Sequence, residues 1–340
     1  MLFLLRFVPI LLCALALPLL AQRASVRQAS PEYLPAPVDS NSPAFWVDGQ
    51  LNILTSTGMV LLSRGSSLFF QNETDAVDLE GQQHIPVWVE AAWLDDDGTL
   101  LLWYHHEPGG ICPSNGLTQP VIGAAVSYDG GRSMIDLGVV LTAADLPSCD
   151  AKNGYFAGGH GDFSVFRHSD GSFYFYFSNY GGDVSVQGIA VARMAYEDRF
   201  QPQGAVWKYF QGEWNEPGLG GQVTPIIRTK VAWQLENTDS FWGPSIHWNT
   251  HLGTYVMLLN HSCCEPGWKQ EGIYVSFNGD LSNPEGWSAP QLVLKDFGFG
   301  PAFYPQIQGL EQDGTDKQAG RVARLYVHGV SHWEIEFTPR

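Results

Sequence analysis

Positive charge is scarce in this sequence. Eighteen Lys and Arg face 35 Asp and Glu across 340 residues, a formal charge of −17. Nucleic acids and anionic membrane surfaces are gripped by clusters of Lys and Arg; the chain has none, so both are excluded as partners and neutral ligands fit it better. Also missing are a G-x-S-x-G elbow, a P-loop, a G-x-G-x-x-G joining strand to helix, and a C-x-x-C metal pair. The Gly-rich run at Gly218 to Gly221 follows WNEP in a loop, so it is no phosphate cradle. No His-x-His or HExxH spacing occurs, and no long helical period runs between the apolar segments.

Long apolar runs are equally rare. The one candidate is MLFLLRFVPILLCALALPLLA at residues 1–21, with one Arg, Pro9 and Pro18, and small residues before a polar stretch. That pattern reads as a secretory signal peptide cut after Ala21, in preference to a membrane anchor, so the mature protein is expected to be secreted or periplasmic, with no membrane association. Residues 22–40, with Pro31, Pro35 and Pro37, read as an extended leader, and 41–340 as one domain. Cysteine is sparse too. Once Cys13 leaves with the signal peptide, four remain, and in an exported protein an even number suggests disulfides. Cys112 and Cys149 share one long insert and form the preferred bridge; the adjacent Cys263 and Cys264 are left open between a vicinal bridge, free thiols and cross-pairing.

What the chain does have is aromatic residues and a repeated hairpin. Twelve Trp, 13 Tyr and 19 Phe supply core and, at a surface, flat platforms for sugar rings. PAFWV turns at Asp48-Gly49 into LNILTST; EAAWL turns at Asp97-Gly98 into TLLLWYH; DFSVF turns at Asp170-Gly171 into SFYFYFSN; GPSIHW turns at Gly253 into TYVMLLNH; and YPQIQGL is followed by Asp313-Gly314 and RVARLYVH. Asp-Gly suits the positive φ of tight hairpins. Five such units, most followed by a third strand such as AAVSYDGG or IAVARMAY, predict an all-β fold, a five-bladed β-propeller, with a β-sandwich as the alternative.

In a propeller the first strand of each blade follows the axis, so strand starts and the ends of second strands share one face. Polar residues gather at those positions. Starts supply Asp39, Asn41 and Ser42, Glu90, His160 and Asp162, Asp239 and Trp242, and Tyr304; ends supply His105, His106 and Glu107, Asn179 and Tyr180, His261 and His328. Glu90 lies in VWVEAAWL, where apolar neighbours should raise its pKa. Adjacent His105 and His106 point to opposite faces of their strand, so at most one looks into the mouth. No cofactor is expected; a divalent metal at the axis, held by histidines with Asp162, is the alternative.

The units resemble those of the five-bladed propeller glycosidases, the superfamily of arabinanases, β-xylosidases, arabinofuranosidases and invertases, of glycoside hydrolase family 43 and 32 type. The likeness rests on NSPAFWVDGQLNILTST, GDFSVFRHSDGSFYFYFSN, WGPSIHWNTHLGTYVMLLN and VSFNGDLSNPEGWSAPQLVL. SYDGGRSM, Ser127 to Met134, resembles the Asp-box hairpin of sialidases and other propellers. The resemblance implies three carboxylates at blade starts. Asp162 fits the Asp that tunes the pair. Ser42 stands where an Asp would precede Pro43, and Trp242 where a Glu would precede Gly243-Pro244.

Hydrolysis of a glycoside needs one protonated and one ionised carboxyl group. The expectation is therefore that the chemistry has moved to other mouth residues. Glu90 is assigned the proton donor and Asp162 the ionised base, with Asp239 a further acid. Asn41, His105, Glu107, His160, Asn179, Trp242, His261, Tyr304 and His328 are assigned to a carbohydrate substrate. The rival reading is a propeller that binds carbohydrate without cleaving it. A sialidase-like or lyase propeller is a third; the sialidase form would need an arginine triad, for which only Arg193, Arg228, Arg321 and Arg324 offer themselves.

Overall fold

The strand SFYFYFSN shows why the chain builds radially packed sheets. Phe173, Phe175 and Phe177 point to one side, where they pack with Trp103, Ile122 and Val140 of the preceding blade. Tyr174 and Tyr176 point to the other, against Ile246, Met257 and Leu259 of the next. Both faces are buried, at roughly 2 kcal/mol or more per large side chain, and period-2 alternation sorts Phe to one interface and Tyr to the other. Tyr174 satisfies its hydroxyl by donating to Asp170 Oδ2 at 2.6 Å, in the turn that ends the hairpin.

The computed structural model describes residues 23–80, 84–295, 297–298 and 302–339; the segment read as a signal peptide lies outside them. Five sheets form the ring of a five-bladed β-propeller. Blade one contains Ala44–Val47, Gln50–Ser56, Val60–Ser67 and Phe70–Ala76. Blade two runs from Val87–Leu94 through Leu100–His106 and Val121–Ser127 to Ser133–Leu141, with Asp78–Glu80 added in parallel outside. Blade three starts with His160–Arg167 and Ser172–Asn179, and blade four with Ser240–Asn249 and Thr254–Ser262. Blade five contains Pro305–Gly309, Val322–Val327 and Val330–Thr338. Apolar clusters fill the five interfaces between blades.

Two features differ from the sequence reading. The stretch read as an extended leader is extended, but its residues Arg23–Tyr33 form the outer strand of blade five, antiparallel to Val330–Thr338. The first and last strands therefore close the ring together. Asp313-Gly314 does not sit in a tight hairpin; the connection runs from Leu310 to Arg321, and its Gln318–Ala319 pairs in parallel with Trp248 and Asn249 of blade four. The first hairpin matches its turn signal, with φ of 51° at Asp48 and 75° at Gly49, as a type I′ turn requires. The Asp-box segment is the hairpin between the third and fourth strands of blade two, where Asp129 Oδ1 accepts the N–H groups of Arg132 and Ser133, both at 3.0 Å.

Polar groups tie the inner strands across the axis. Asn41 donates through Nδ2 to Phe163 O at 2.8 Å and Pro244 O at 3.1 Å, joining blades one, three and four. Ser42 N–H donates to Gln306 of blade five at 2.6 Å. Two disulfides are present, Cys112–Cys149, with Cα atoms 5.4 Å apart, and Cys263–Cys264.

Candidate active site

Glu90 and Asp162 meet on the predicted face. Glu90 comes from the first strand of blade two and Asp162 from that of blade three, and His105, at the end of the second strand of blade two, stands between them. One ligand atom from each of the three lies within 4.8 Å of the others. His105 Nδ1 is 3.2 Å from Glu90 Oε1, and its Nε2 is 3.4 Å from Glu107 Oε1. Glu90 Oε2 accepts the Phe163 N–H at 3.0 Å. Asp162 Oδ2 accepts the hydroxyl of Tyr180.

Local backbone makes this possible. Asp162 adopts φ 43° at a bulge in its strand, a conformation that Asp tolerates better than most residues. Gly161 leaves room for the imidazole, since a Cβ there would lie 2.6 Å from His105 Cε1. Tyr304 and His328 also have positive φ, 56° and 51°. Such backbone strain collects at functional positions.

The electrostatics follow from burial and crowding. Burial alone would push the His105 imidazole down, but Glu107, Glu90 and Asp162 outweigh it and push it up to about 10. Burial, then the charge of Glu90, pushes Asp162 up to about 7. Glu90 is raised mainly by burial, against the stabilising contacts of His105 and the Phe163 N–H. At the rim, Asp39 is exposed to solvent. Its carboxyl is still raised, first because surrounding protein strips part of its water and then by Glu107, while His328 and His105 oppose the shift. The Glu107 side chain is 33% exposed, whereas that of Glu90 is 0% exposed.

Aromatic rings wall the cluster. Phe156, Tyr180, Trp233, Trp242 and Trp268 pack together, with Phe303 and Tyr304 against them. Phe156 and Trp268 come from loops between strands, which the repeat pattern did not single out. Their signal is compositional: large aromatics next to glycine in GYFAGG and EPGW. Half-buried Trp88, Tyr304 and His328 face the rim; the last two stack with ring centroids 6.4 Å apart.

Other expected site residues lie elsewhere. Asp239 pairs with His261 at 2.9 Å, and His261 in turn with Glu271 at 2.6 Å, apart from the Glu90 cluster. His160 turns toward the interface of blades two and three, on Phe177 at 4.6 Å between centroids. Asn179 ties its own loop, donating to Val186 O at 2.8 Å, and Asn41 is the axial tie described above. Trp242 is part of the aromatic wall, its Nε1 donating to Ser262 Oγ at 2.9 Å. Asn41 and Asn179 thus bind backbone carbonyls, and His160 and Trp242 pack against neighbouring rings. His106 turns from the mouth and contacts Pro86 O at 2.9 Å.

Glu90, His105 and Asp162 are a donor set that could hold a divalent cation, which would have to displace a proton from the His105 ring. Asp239 with Cys263 and Cys264 forms a similar group, but its sulfurs are joined in a disulfide. Of the candidate arginines, Arg321 pairs with Glu336, Arg324 holds Ser331, and Arg193 lies over Trp214, each engaged with its own blade.

The fold and the mouth thus define a five-bladed propeller with an acidic, aromatic-walled axial site. The same fold occurs in solved structures of an α-L-arabinofuranosidase from Lactobacillus brevis (13% identity, TM-score 0.54, covering 89% of this chain and 92% of that one) and an exo-1,5-α-L-arabinanase from a bovine ruminal metagenomic library (11%, 0.53, 89% and 94%). It occurs also in an α-L-arabinanase from Cellvibrio cellulosa (11%, 0.51, 88% and 91%). The resemblance drawn from the hairpin motifs holds at the level of fold. No protein-family model matches the sequence, and no curated protein matches it.

Proposed function

We propose that this protein is an exported glycoside hydrolase that cleaves a neutral polysaccharide or its oligosaccharides at the propeller mouth. The observation that carries the reading is the set of four carboxyl groups around one imidazolium, two beneath and two at the rim. The fold is one that solved arabinanases and an arabinofuranosidase share, which supports a carbohydrate substrate.

The roles expected from sequence need revision. A proton donor must touch the glycosidic oxygen, yet the Glu90 side chain is fully buried, one oxygen beside His105 and the other accepting the Phe163 N–H. Asp162, 3% exposed, is held by Tyr180. We assign these two acids and His105 to positioning and charge tuning. Asp39 and Glu107 reach solvent and take the substrate. Asp39, whose carboxyl holds its proton above the ordinary Asp range, donates to the leaving oxygen. Glu107, fixed beside the His105 imidazolium, acts as base or nucleophile. Trp88 and Tyr304 offer ring faces for the sugar.

A second reading is a binding module without catalysis. It is favoured by Ser42 and Trp242 standing where the resemblance places carboxylates. Incubation of the mature protein with arabinan, xylan, fructan, agar and aryl glycosides, followed by chromatography of products, separates the two. Release of a defined sugar is expected. No release, with retardation on one of the polysaccharides, would establish the binding module instead.

A further inference from the structure

The opposite face of the ring holds a concavity of about 760 Å³, lined among others by Trp93, Arg167, Trp248, Tyr255 and Lys317. Trp93 is next to last in the Val87–Leu94 strand that carries Glu90, and Arg167 ends the strand that begins beside Asp162. Five residue steps of strand carry the chain from Asp162 to Arg167, roughly 16 Å. This pocket and the Glu90 cluster are therefore distinct sites.

In a chain of charge −17, this pocket collects cations. Among its lining residues the one acid, Asp313, is exposed. Lys317 is engaged, its Nζ 3.1 Å from Ser164 Oγ and 3.4 Å from Asp316. Arg167 is not. Its guanidinium lies 4.1 Å from the Tyr196 ring centroid and 5.5 Å from that of Trp93, and its Nε is buried with no acceptor. No hydrogen bond or ion pair to this group occurs among the described residues. The Tyr196 ring is itself fixed, its hydroxyl donating to Asp95 at 2.7 Å and Arg199 lying on it at 3.8 Å. A guanidinium held by ring stacking keeps its terminal N–H donors in plane and free, the geometry that meets a carboxylate with two parallel bonds. Trp248 and Tyr255, 4.8 Å apart and crossed at 63°, add apolar surface of the kind that covers a sugar ring.

We propose that this pocket binds an acidic sugar, a uronate residue whose carboxylate meets Arg167 and whose ring lies against Trp248. The proposal is independent of the chemistry at the mouth. It is tested by titrating the full mature chain with an oligogalacturonate, a sulfated oligosaccharide and a neutral oligosaccharide of equal length, followed by calorimetry and tryptophan fluorescence. The oligogalacturonate should bind one to one, weaken as salt rises, and bind at least about tenfold more weakly to Arg167→Met, the loss of a charge-assisted pair. Trp248→Ala should weaken it as well, while Glu107→Gln on the other face should leave it unchanged. The proposal is overturned if wild type does not bind the oligogalacturonate, if Arg167→Met weakens the neutral or sulfated oligomer as much as the oligogalacturonate, or if Glu107→Gln abolishes binding that Arg167→Met retains. Salt dependence in the wild type keeps the test open should either pocket variant fail to fold.

Discussion

Asp162 combines three constraints in one residue: a left-handed backbone, a buried carboxyl and a hydroxyl donor above it. Asn also tolerates that backbone and can accept the same hydrogen bond from Tyr180, so Asp162→Asn should fold. The two side chains differ in titration. In the native state Asp162 holds its proton up to about pH 7, against 3.8 for the free group. Between those values the native state binds more protons than the unfolded state, so this group's contribution is complete below about pH 4 and is lost as pH rises to about 7. The melting temperature of Asp162→Asn relative to wild type should therefore rise across that window and level off above it. A difference that does not change with pH would show that the carboxyl titrates normally. The sequence showed Glu90, Asp162 and His105 as polar interruptions of apolar strands, because period-2 patterning exposes such breaks. It did not show depth. Whether a carboxyl at a strand start reaches solvent depends on loops such as those carrying Phe156 and Trp268, whose position no local pattern encodes.

At the scale of strands, four of the five hairpins were legible because Asp-Gly or a single glycine sets the turn and alternation sets the faces. The fifth was not. Its apparent turn, Asp313-Gly314, belongs to a longer connection that also adds Gln318–Ala319 to blade four. The leader was misjudged for a related reason: RASVRQASPEY has little apolar alternation, because an outermost strand buries only part of one face. Its pairing is long-range, with Arg23 opposite Thr338 and Tyr33 opposite Val330. A chain beginning at Leu34 should lose on the order of 4 kcal/mol or more from the missing ladder. Chemical denaturation of chains beginning at Leu34 and at Arg23 measures this directly. Equal midpoints would mean that the ring does not depend on closure by its first strand.

The whole molecule works as a frame with two ends. Inner strands run the length of the axis, so one set of five strands presents acids at one mouth and, at the other, the turns around Arg167 and Trp248. Blade interfaces give the frame its stiffness, and polar ties such as Asn41 hold the inner strands in register across the axis. At the acidic mouth burial, and after it the neighbouring carboxyls Glu107 and Glu90, lift the pKa of Asp39 and Asp162 respectively. In the proposed mechanism the rim acids act on substrate and the buried ones set their charge. The most direct measurement is the turnover of one cleaved oligosaccharide by wild type, Asp39→Asn and Glu107→Gln. Each rim variant should lose about 100-fold or more in kcat while keeping its fold, the scale of a lost general acid or base. Undiminished turnover in both would contradict the assignment and return the chemistry to Glu90 and Asp162.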